Sequence, residues 1–227
     1  MPCDTVRPRP HPFPPPSMIS IYQLKPKFQN LLRPVVARLH RAGVSANQVT
    51  LLAAAVSVLL GLALALNPGR SGWFALLPLW MFLRMALNAI DGMLAREFGH
   101  QSALGAYLNE LCDVLADAAL FLPFALLPGV AGTPAALLVY LVVLGAAVVE
   151  LAGVLGLMVG ASRRYDGPMG KSDRAFVFGA LALLVALGWW SVAWVSAILA
   201  AVLALLIWTG INRVRHGLAE ATQRPAS

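Results

Sequence analysis

The chain of 227 residues carries a formal net charge of +7, and its mean hydropathy is +0.74 with 12% charged residues. This composition excludes an ordinary soluble domain and predicts several apolar segments that cross a membrane. Segments of this length satisfy every backbone group within lipid only as helices, so we predict an all-α membrane protein. The two cysteines, Cys3 and Cys112, exclude a disulfide framework.

Both ends of the chain are predicted to lie outside the folded part. Segment 1–17 is rich in proline and lacks apolar periodicity, which is typical of disorder. The first well-patterned segment opens at Met18, so a translation start at Met18 instead of Met1 is an alternative. At the other end, we expect residues 217–227 to form a tail.

Segment 18–44 is predicted to be a juxtamembrane helix. Its apolar residues follow helical spacing and most of its basic residues lie on other faces, so we expect an amphipathic helix in the headgroup plane. Pro34 is expected to kink this helix or divide it in two. Gly43 is expected to end it, and Ser45 or Asn47 to cap the first span.

Six apolar runs within residues 45–216 have the length and composition of membrane spans. The predicted spans are 48–67, 73–96, 105–127, 134–160, 174–188 and 191–211. The fourth is long and can tilt, and the fifth is short. We therefore predict a six-transmembrane-helix bundle with an N-terminal interfacial amphipathic helix.

The basic residues alternate along the chain as the positive-inside rule describes. Clusters precede the first span, follow the second, fill the connection between the fourth and fifth, and follow the sixth, whereas the opposite connections offer only Arg70. We therefore expect both termini on the cytoplasmic side of a bacterial-type inner membrane. Because orientation in the membrane accounts for the net charge, nucleic-acid binding is not expected.

Polar side chains interrupt the apolar pattern at the end of the second span and the start of the third. Asn88 and Asp91 share one helix face, and Asn109, Asp113 and Asp117 share another at four-residue steps. A charge at bilayer depth costs roughly 2.5–3.5 kcal/mol, so such residues usually face a cavity or a ligand. The two groups match in depth, and converging oxygen atoms are the ligands that a hard cation such as Mg²⁺ prefers.

This spacing carries a family resemblance. The pattern Asp91-Gly92-x2-Ala95-Arg96-x8-Gly105-x3-Asn109-x3-Asp113 resembles the signature of the CDP-alcohol phosphatidyltransferases, D-x2-D-G-x2-A-R-x8-G-x3-D-x3-D. The span count, the N-terminal arm and segment 45–50 are also similar, and the resemblance covers residues 19–215. It implies transfer of a substituted phosphate from a CDP-linked donor, typically CDP-diacylglycerol, to an alcohol, with release of CMP.

The resemblance also implies roles for individual residues. Asp91 corresponds to a metal ligand and Asp113 to the general base. The candidate metal ligands are Asp91, Asn88, Asn109, Asp113 and Asp117. The residues expected to line the cytidine site, with the last at its edge, are Gly92, Ala95, Gly105 and Arg96. The implied cofactor is Mg²⁺ or Mn²⁺, as one or two ions. The implied partners are CDP-diacylglycerol or a related CDP-lipid, an alcohol acceptor and membrane lipids, and a homodimer is compatible with the resemblance.

Asn88 and Asn109 depart from the family pattern, which has aspartate at both positions. An amide still offers a carbonyl oxygen, but two negative charges are lost from a site built for two metals. Glu110 and Asp117 are nearby carboxylates that can compensate, although Glu110 lies about 100° round the helix from Asn109. The departure leaves open an inactive relative that binds CDP-lipid or organises partner enzymes.

The connection 163–174 is rich in turns and basic residues, which can hold an acceptor phosphate or an anionic headgroup. The candidate residues are Arg163, Arg164, Lys171 and Arg174. Plain positive-inside anchoring is the alternative explanation. Deeper in the second and fourth spans, Arg84 and Glu150 are expected to pair with each other or with the polar residues of the third span.

Three functions remain as hypotheses: the phosphatidyltransferase, the inactive relative, and a small transporter or channel that uses the acidic residues as an ion path. The polar positions end at Asp117 and leave the outer half of the third span apolar, which weakens the transporter hypothesis. The pattern does not identify the acceptor, because inositol phosphate, glycerol phosphate, serine and other alcohols would share this core.

Overall fold

The computed structural model describes residues 24–223 of the chain, with side chains from Phe28 onward. Across this range there are seven α-helices and no β-strand, so the predicted all-α class is confirmed. The helices are α1 (Leu24–Arg41), α2 (Ala46–Leu66), α3 (Leu76–Glu97), α4 (Ala103–Phe121), α5 (Pro134–Leu155), α6 (Lys171–Ala186) and α7 (Val192–Gln223). The predicted tail 1–17 and the alternative start at Met18 lie outside the described residues.

Short 3-10 helices adjoin three of these elements. They cover Ser71–Ala75 before α3, Leu122–Leu126 after α4 and Gly156–Val159 after α5. Among the described residues, four helical stretches are then long and apolar enough to cross a membrane. They are Ala46–Leu66, Ser71–Glu97, Pro134–Val159 and Val192–Gln223.

The other two predicted spans form helices at the expected places but differ in character. α4 carries three acidic residues, Glu110, Asp113 and Asp117, and α6 has only 16 residues. By length and composition the structure therefore supports four spans, and the six-span bundle stays a prediction. α7 continues to Gln223, well past the predicted end of the sixth span and into the segment expected to be a tail.

α1 runs unbroken through Pro34, so the helix is not divided at that residue. Val36 is fully buried in one apolar cluster with Ile90 and Leu94 of α3. This packing offsets the backbone hydrogen bond that Pro34 cannot donate. Leu31 and Val35 are 73% and 41% exposed, so α1 has one face on the bundle and apolar side chains outside it.

Two capped helix starts frame the region of the polar residues. Ser45 caps α2: its Oγ accepts a hydrogen bond from the backbone N–H of Gln48 at 3.3 Å, and Gln48 Oε1 accepts one from the Ser45 N–H at 2.9 Å. Ser102 caps α4 by accepting from the N–H of Gly105 at 2.9 Å. Gly43 ends the segment before α2 with a φ of +75°, as expected.

α2 crosses α4 at close range. A Cβ atom at Gly61 would overlap the backbone carbonyl of Ala119, so the crossing requires glycine on α2. Farther inside, Phe121 at the end of α4 stacks on Phe178 of α6, with ring centroids 3.7 Å apart. These contacts place α4, the helix with most of the polar residues, along α2 and join its C-terminal end to α6.

Candidate active site

A cavity of 1340 Å³ lies between α2, α3, α4 and α5, beside the α3–α4 connection. Its wall includes residues from both halves of the sequence motif. They are Asp91, Gly92, Ala95, Arg96, Gly105 and Asn109. The fold thus brings most of the predicted site residues to one cavity.

Asp91 is buried in the wall of this cavity, with 5% of its surface exposed. Thr50 of α2 donates a hydrogen bond from Oγ1 to Asp91 Oδ2 at 2.8 Å, and this bond orients the carboxylate. Thr50 was not predicted as a site residue. The residues around Thr50 have the pattern of an ordinary membrane span. The one signal for a role in the site was that Thr50 belongs to segment 45–50, which resembles the family.

The two asparagines of the motif lie on α3 and α4, and Asn88 is not part of the cavity wall. Asn88 lies one helical turn before Asp91, and its Nδ2 is buried without a hydrogen-bond partner among the described residues. Rotation of this amide would bring the carbonyl oxygen to the same position. Asn109 lines the cavity from α4. Carboxylate and amide oxygens are the ligand types that suit a hard cation, which also takes substrate phosphate and water.

The carboxylates of the cavity wall, Asp91, Glu110 and Glu150, are not gathered into one cluster. Within residues 24–223, no group of three or more histidine, cysteine or acidic side chains is arranged to hold a metal ion. Asp113 lies one turn beyond Asn109 and outside the cavity wall. Its Oδ2 accepts a hydrogen bond from Lys171 Nζ and its Oδ1 accepts one from Arg84 Nη2 at 3.3 Å. Both oxygens are therefore already paired with cations.

Asp117 is held by two arginines in the interior. Arg84 Nη1 lies 2.5 Å from its Oδ1, and Arg174 Nε lies 3.0 Å from its Oδ2. Asp117, Arg84 and Arg174 are all buried, at 4%, 2% and 1% exposure. These contacts favour a structural role for Asp117 over metal binding.

Arg84 and Glu150, which were predicted to pair with each other or with the polar residues of the third span, have different partners. Arg84 pairs with the polar residues of α4, as one of the two alternatives predicted. Glu150 pairs instead with Arg174 at 2.9 Å, Arg213 at 3.1 Å and Arg163 at 3.2 Å. The other alternative, a contact between Arg84 and Glu150, does not occur, because Arg174 lies between Asp117 and Glu150 in the network.

The four basic residues predicted at the acceptor side all have carboxylate partners. Arg163 binds Glu110 and Glu150, Lys171 binds Asp113, and Arg174 binds Asp117 and Glu150. Arg164 binds Asp166 at 2.8 Å and Glu220 at 2.6 Å. Only Arg163 of the four contributes to the cavity wall.

The connection between α5 and α6 is fastened to α7. Burial raises the pKa of Asp166, but hydrogen bonds from Arg164 and His216 outweigh that effect and hold its pKa below the usual value. The backbone N–H of Met169 donates to Thr209 Oγ1 at 3.0 Å. At Gly167, where φ is +112°, a Cβ atom would come within 2.6 Å of the Thr209 side chain, so glycine is required there.

The chain is similar in sequence to known membrane proteins and enzymes. The chain is 46% identical over 200 residues to inner membrane protein YnbA of Escherichia coli (strain K12), which covers 88% of this chain and 97% of the relative. It is also 37% identical over 105 residues to phosphatidylinositol phosphate synthase of Corynebacterium glutamicum. That match covers 46% of this chain and 45% of the relative.

Solved structures share the fold. One is Mycobacterium tuberculosis phosphatidylinositol phosphate synthase with CDP-DAG bound. The match covers 86% of this chain and 98% of that chain, with a TM-score of 0.69 and 21% identity. The match to the same enzyme in complex with manganese and citrate covers 85% of this chain and 92% of that chain, with a TM-score of 0.64 and 20% identity. The model of the CDP-alcohol phosphatidyltransferase family matches residues 43–209. The chain therefore belongs to the CDP-alcohol phosphatidyltransferase family.

Proposed function

We propose that the protein is an integral membrane phosphotransferase that moves a phosphatidyl group from a CDP-linked donor, such as CDP-diacylglycerol, to an alcohol and releases CMP. The observation that carries this proposal is the cavity beside the α3–α4 connection, which combines oxygen donors, small residues and an arginine with apolar walls. The relative solved with CDP-DAG bound supports a CDP-lipid as the donor.

The nucleotide end of the donor is assigned to the wall formed by α3 and α4. A Cβ atom at Gly105 would come within 2.8 Å of Asn47 Oδ1, and one at Gly92 within 3.0 Å of Arg96 Nη2. These glycines, with the small Ala95, leave room for a planar base and a diphosphate to approach the helices. Arg96 is exposed in the cavity wall and has no acidic partner in the described part of the chain, so it is available to the diphosphate.

The acyl chains of the donor are assigned to the apolar side of the same cavity. Its wall contains leucines that are each more than half exposed in the isolated chain. They are Leu111, Leu115, Leu151 and Leu157. Apolar surface of this kind on a membrane bundle faces lipid. A diacylglycerol tail can therefore stay in the bilayer while the headgroup enters the cavity.

One divalent cation, Mg²⁺ or Mn²⁺, is proposed as the cofactor, with Asp91 and the amide oxygens of Asn88 and Asn109 as its protein ligands. Such an ion neutralises charge on the diphosphate oxygens. The relative solved with manganese supports a divalent metal. A second ion would need the carboxylate of Asp113, whose oxygens are paired with Lys171 and Arg84.

Asp113 is proposed as the general base, one helical turn from Asn109, and Lys171 must leave its Oδ2 before that oxygen can take a proton. The acceptor approaches from the side of Arg163 and Lys171, with Arg164 and Arg174 behind them. Its hydroxyl oxygen forms a bond to the phosphorus that carries the diacylglycerol. The bond from that phosphorus to the oxygen of CMP breaks, CMP leaves with the electron pair, and the hydroxyl proton goes to Asp113.

We further propose six spans in the domain 45–216, with both termini on the cytoplasmic side of an inner membrane and α1 in the headgroup plane. The distribution of basic residues supports this orientation. The Escherichia coli relative is an inner membrane protein, which supports the location. Reporter fusions after Ser227 and in the connection 130–133 are expected on opposite sides of the membrane. Fusions found on one side would contradict the six-span arrangement.

The transfer reaction is tested by incubating purified protein with CDP-diacylglycerol, Mg²⁺ or Mn²⁺ and a panel of alcohols, and by measuring CMP release. We expect acceptor-dependent CMP from the wild type and little from Asp91→Asn, which removes the one carboxylate of the proposed cation site. Folded protein that releases no CMP with any acceptor would exclude the transferase function.

A second candidate is a catalytically inactive relative that binds CDP-lipid or organises partner enzymes. The amides at positions 88 and 109 and the pairing of Asp113 with Lys171 favour it, because each lowers the capacity of the site for metal ions. Thermal stabilisation by CDP-diacylglycerol separates the two functions. Binding without CMP release under any metal or acceptor supports the inactive relative.

A further inference from the structure

Resting on the proposed transfer reaction and deepening it, we propose that Glu220 is a positioning residue for the acceptor. It holds the connection that carries Arg163, so that this guanidinium keeps its place in the cavity wall. Residues 217–227 were predicted to form a tail, but α7 extends to Gln223. Glu220 therefore lies on a helix, beyond residues 43–209 that match the family model.

Glu220 binds the residues on both sides of Arg163 in the chain. Before Arg163, the backbone N–H of Ser162 donates a hydrogen bond to Glu220 Oε1 at 3.0 Å, and Ser162 Oγ donates to Oε2 at 2.7 Å. After it, Arg164 Nη1 donates to the same Oε2 at 2.6 Å. Hydrogen bonds to a carboxylate, above all from a guanidinium, are stronger than those between neutral groups. One side chain of α7 thus holds the chain at both neighbours of Arg163.

Arg163 itself contacts α4 and α5 and forms part of the cavity wall. Its Nη2 donates to Glu110 Oε2 at 2.6 Å and to Glu150 Oε2 at 3.2 Å. Its Cζ atom also lies 4.1 Å from the centre of the Tyr165 ring. Glu220 lies outside this wall, so it acts on the acceptor only through the connection.

The backbone of the connection is enclosed between α5 and α7. The N–H of Arg164 donates to the carbonyl oxygen of Gly153 on α5 at 3.0 Å. A Cβ atom at Gly153 would come within 2.6 Å of the Arg164 carbonyl oxygen, so α5 lies directly against this segment. On the side of α7, Glu220 makes its contacts at the immediate neighbours of Arg163. Loss of these contacts would therefore free the connection at the point where Arg163 is attached.

The position of Arg163 is expected to matter for the acceptor and not for the donor. A group that binds a substrate works only in the right geometry, and displacement by about 1 Å can cost about 10²-fold in rate. In the proposed reaction, the acceptor approaches beside Arg163, whereas Arg96 on α3 is assigned to the diphosphate of the donor. A displaced Arg163 should therefore weaken acceptor use and leave donor binding unchanged.

The test compares full-length wild type with Glu220→Ala. CMP release is measured with CDP-diacylglycerol and Mn²⁺, and with inositol phosphate, glycerol phosphate and serine as acceptors. We expect the KM for the acceptor that the wild type uses best to rise by about 10- to 100-fold, while the KM for CDP-diacylglycerol stays unchanged. A KM does not depend on the amount of folded protein, so partial unfolding cannot imitate this result.

The other outcomes separate the inference from the proposed function. An unchanged acceptor KM in Glu220→Ala would overturn the inference and leave the transferase function intact. An equal rise of both KM values would also overturn it, because the cavity as a whole would then be disturbed. Failure of the wild type to release CMP with any acceptor would overturn both.

A double variant tests whether Glu220 acts through Arg163. In Arg163→Ala, which should itself raise the acceptor KM, the addition of Glu220→Ala should have no further effect. Glu220→Gln keeps one oxygen that can accept from Ser162, so its acceptor KM should lie between those of wild type and Glu220→Ala. The control is Gln223→Ala, at an exposed position of the same helix, which should match the wild type. Additive effects in the double variant would contradict the inference.

Discussion

Lys171 Nζ donates a hydrogen bond to Oδ2 of Asp113, so the first residue of α6 is joined to the middle of α4. Arg84 of α3 donates to the same carboxylate, from Nη2 to Oδ1 at 3.3 Å. Cations from two other helices thus hold Asp113 on both of its oxygens. These partners fix the position of Asp113. A variant that keeps the shape of the side chain but cannot take a proton therefore tests its role as a base without moving the helices.

Asp113→Asn should reduce CMP release by about 10²- to 10⁴-fold, the usual contribution of a general base. Asparagine keeps the shape of the side chain and an oxygen for Lys171, so CDP-diacylglycerol should still stabilise the variant against heat. The control is Asp173→Asn at the exposed start of α6, which should retain activity. Undiminished CMP release from Asp113→Asn would exclude its role as base, and Glu110 would then be the carboxylate to remove.

Asp91→Asn should weaken Mn²⁺ binding and turnover together, because it removes the negative charge that faces the cation. Thr50→Val removes the hydrogen bond that orients Asp91, and it should weaken Mn²⁺ binding by about 10- to 100-fold, as is typical for partners of metal ligands. Both are measured by isothermal titration with Mn²⁺ in the presence of CDP-diacylglycerol. Unchanged Mn²⁺ affinity in Asp91→Asn would exclude the proposed ligand.

Asn109→Asp adds a carboxylate to the cavity wall and should tighten Mn²⁺ binding, whereas Asp91→Asn should weaken it. The same titration measures it, and tighter binding is expected whether the rate of CMP release rises or falls. Asn67→Asp is a matched control, because Asn67 lies at the far end of α2 and outside the cavity. Weaker binding in Asn109→Asp would show that position 109 does not face the cation.

Gly61→Ala should lower stability by about 1–3 kcal/mol, because its Cβ atom would overlap the carbonyl of Ala119 and push α2 away from α4. Gly145→Ala on α5 is the matched control. Its Cβ atom would lie 3.4 Å from the flexible end of Leu206, so the helix should accept it with little loss. Thermal unfolding in detergent measures both, and equal melting temperatures would contradict the close crossing.

Arg174→Met should cost about 3–5 kcal/mol, because it leaves the carboxylates of Asp117 and Glu150 without a shared partner in the interior. Arg215→Met, at an exposed position of α7, should change stability by less than about 0.5 kcal/mol. The two unfolding curves are compared under the same conditions. A mild effect of Arg174→Met would show that water reaches these carboxylates.

Stability should depend on pH through Asp166. Its pKa in the folded protein is below the usual value, so its contribution is present above the unfolded-state value near 4 and is lost as the pH falls through the folded value. The group is partly exposed, and we expect about 1 kcal/mol or less. The difference in melting temperature between wild type and Asp166→Asn should therefore shrink between pH 6 and pH 3. A difference that grows on acidification would have the wrong sign.

Local pattern was enough to predict some of these features and not others. Ser45 as a cap and Asp91 at the end of an apolar helix are properties of a few neighbouring residues, and both are found where the pattern puts them. The pairs Arg174–Asp117 and Arg174–Glu150 depend on which helices pack together. Helix order in a bundle is decided by packing between distant segments, which periodicity does not describe.

Some residues that line the cavity could likewise be predicted from the sequence, and others depend on how the helices pack. The spacing of the motif predicted that residues of α3 and α4 would share a site. It did not predict Thr50, because that residue reaches Asp91 only after α2 has packed on α3 and α4. Nor did it predict that Lys171 would reach Asp113, since 58 positions separate them in the chain.

The exposed leucines of the cavity wall have a kinetic consequence. We expect the donor to reach the site with its tails still in the bilayer. Saturation of the protein then depends on the mole fraction of the donor among the surrounding lipids, and not on the amount of donor per volume of solution. Dilution of CDP-diacylglycerol with inert phospholipid should then slow the reaction at constant total donor, whereas adding buffer should not. Encounter with the donor becomes a search in two dimensions, and the composition of the membrane sets its rate.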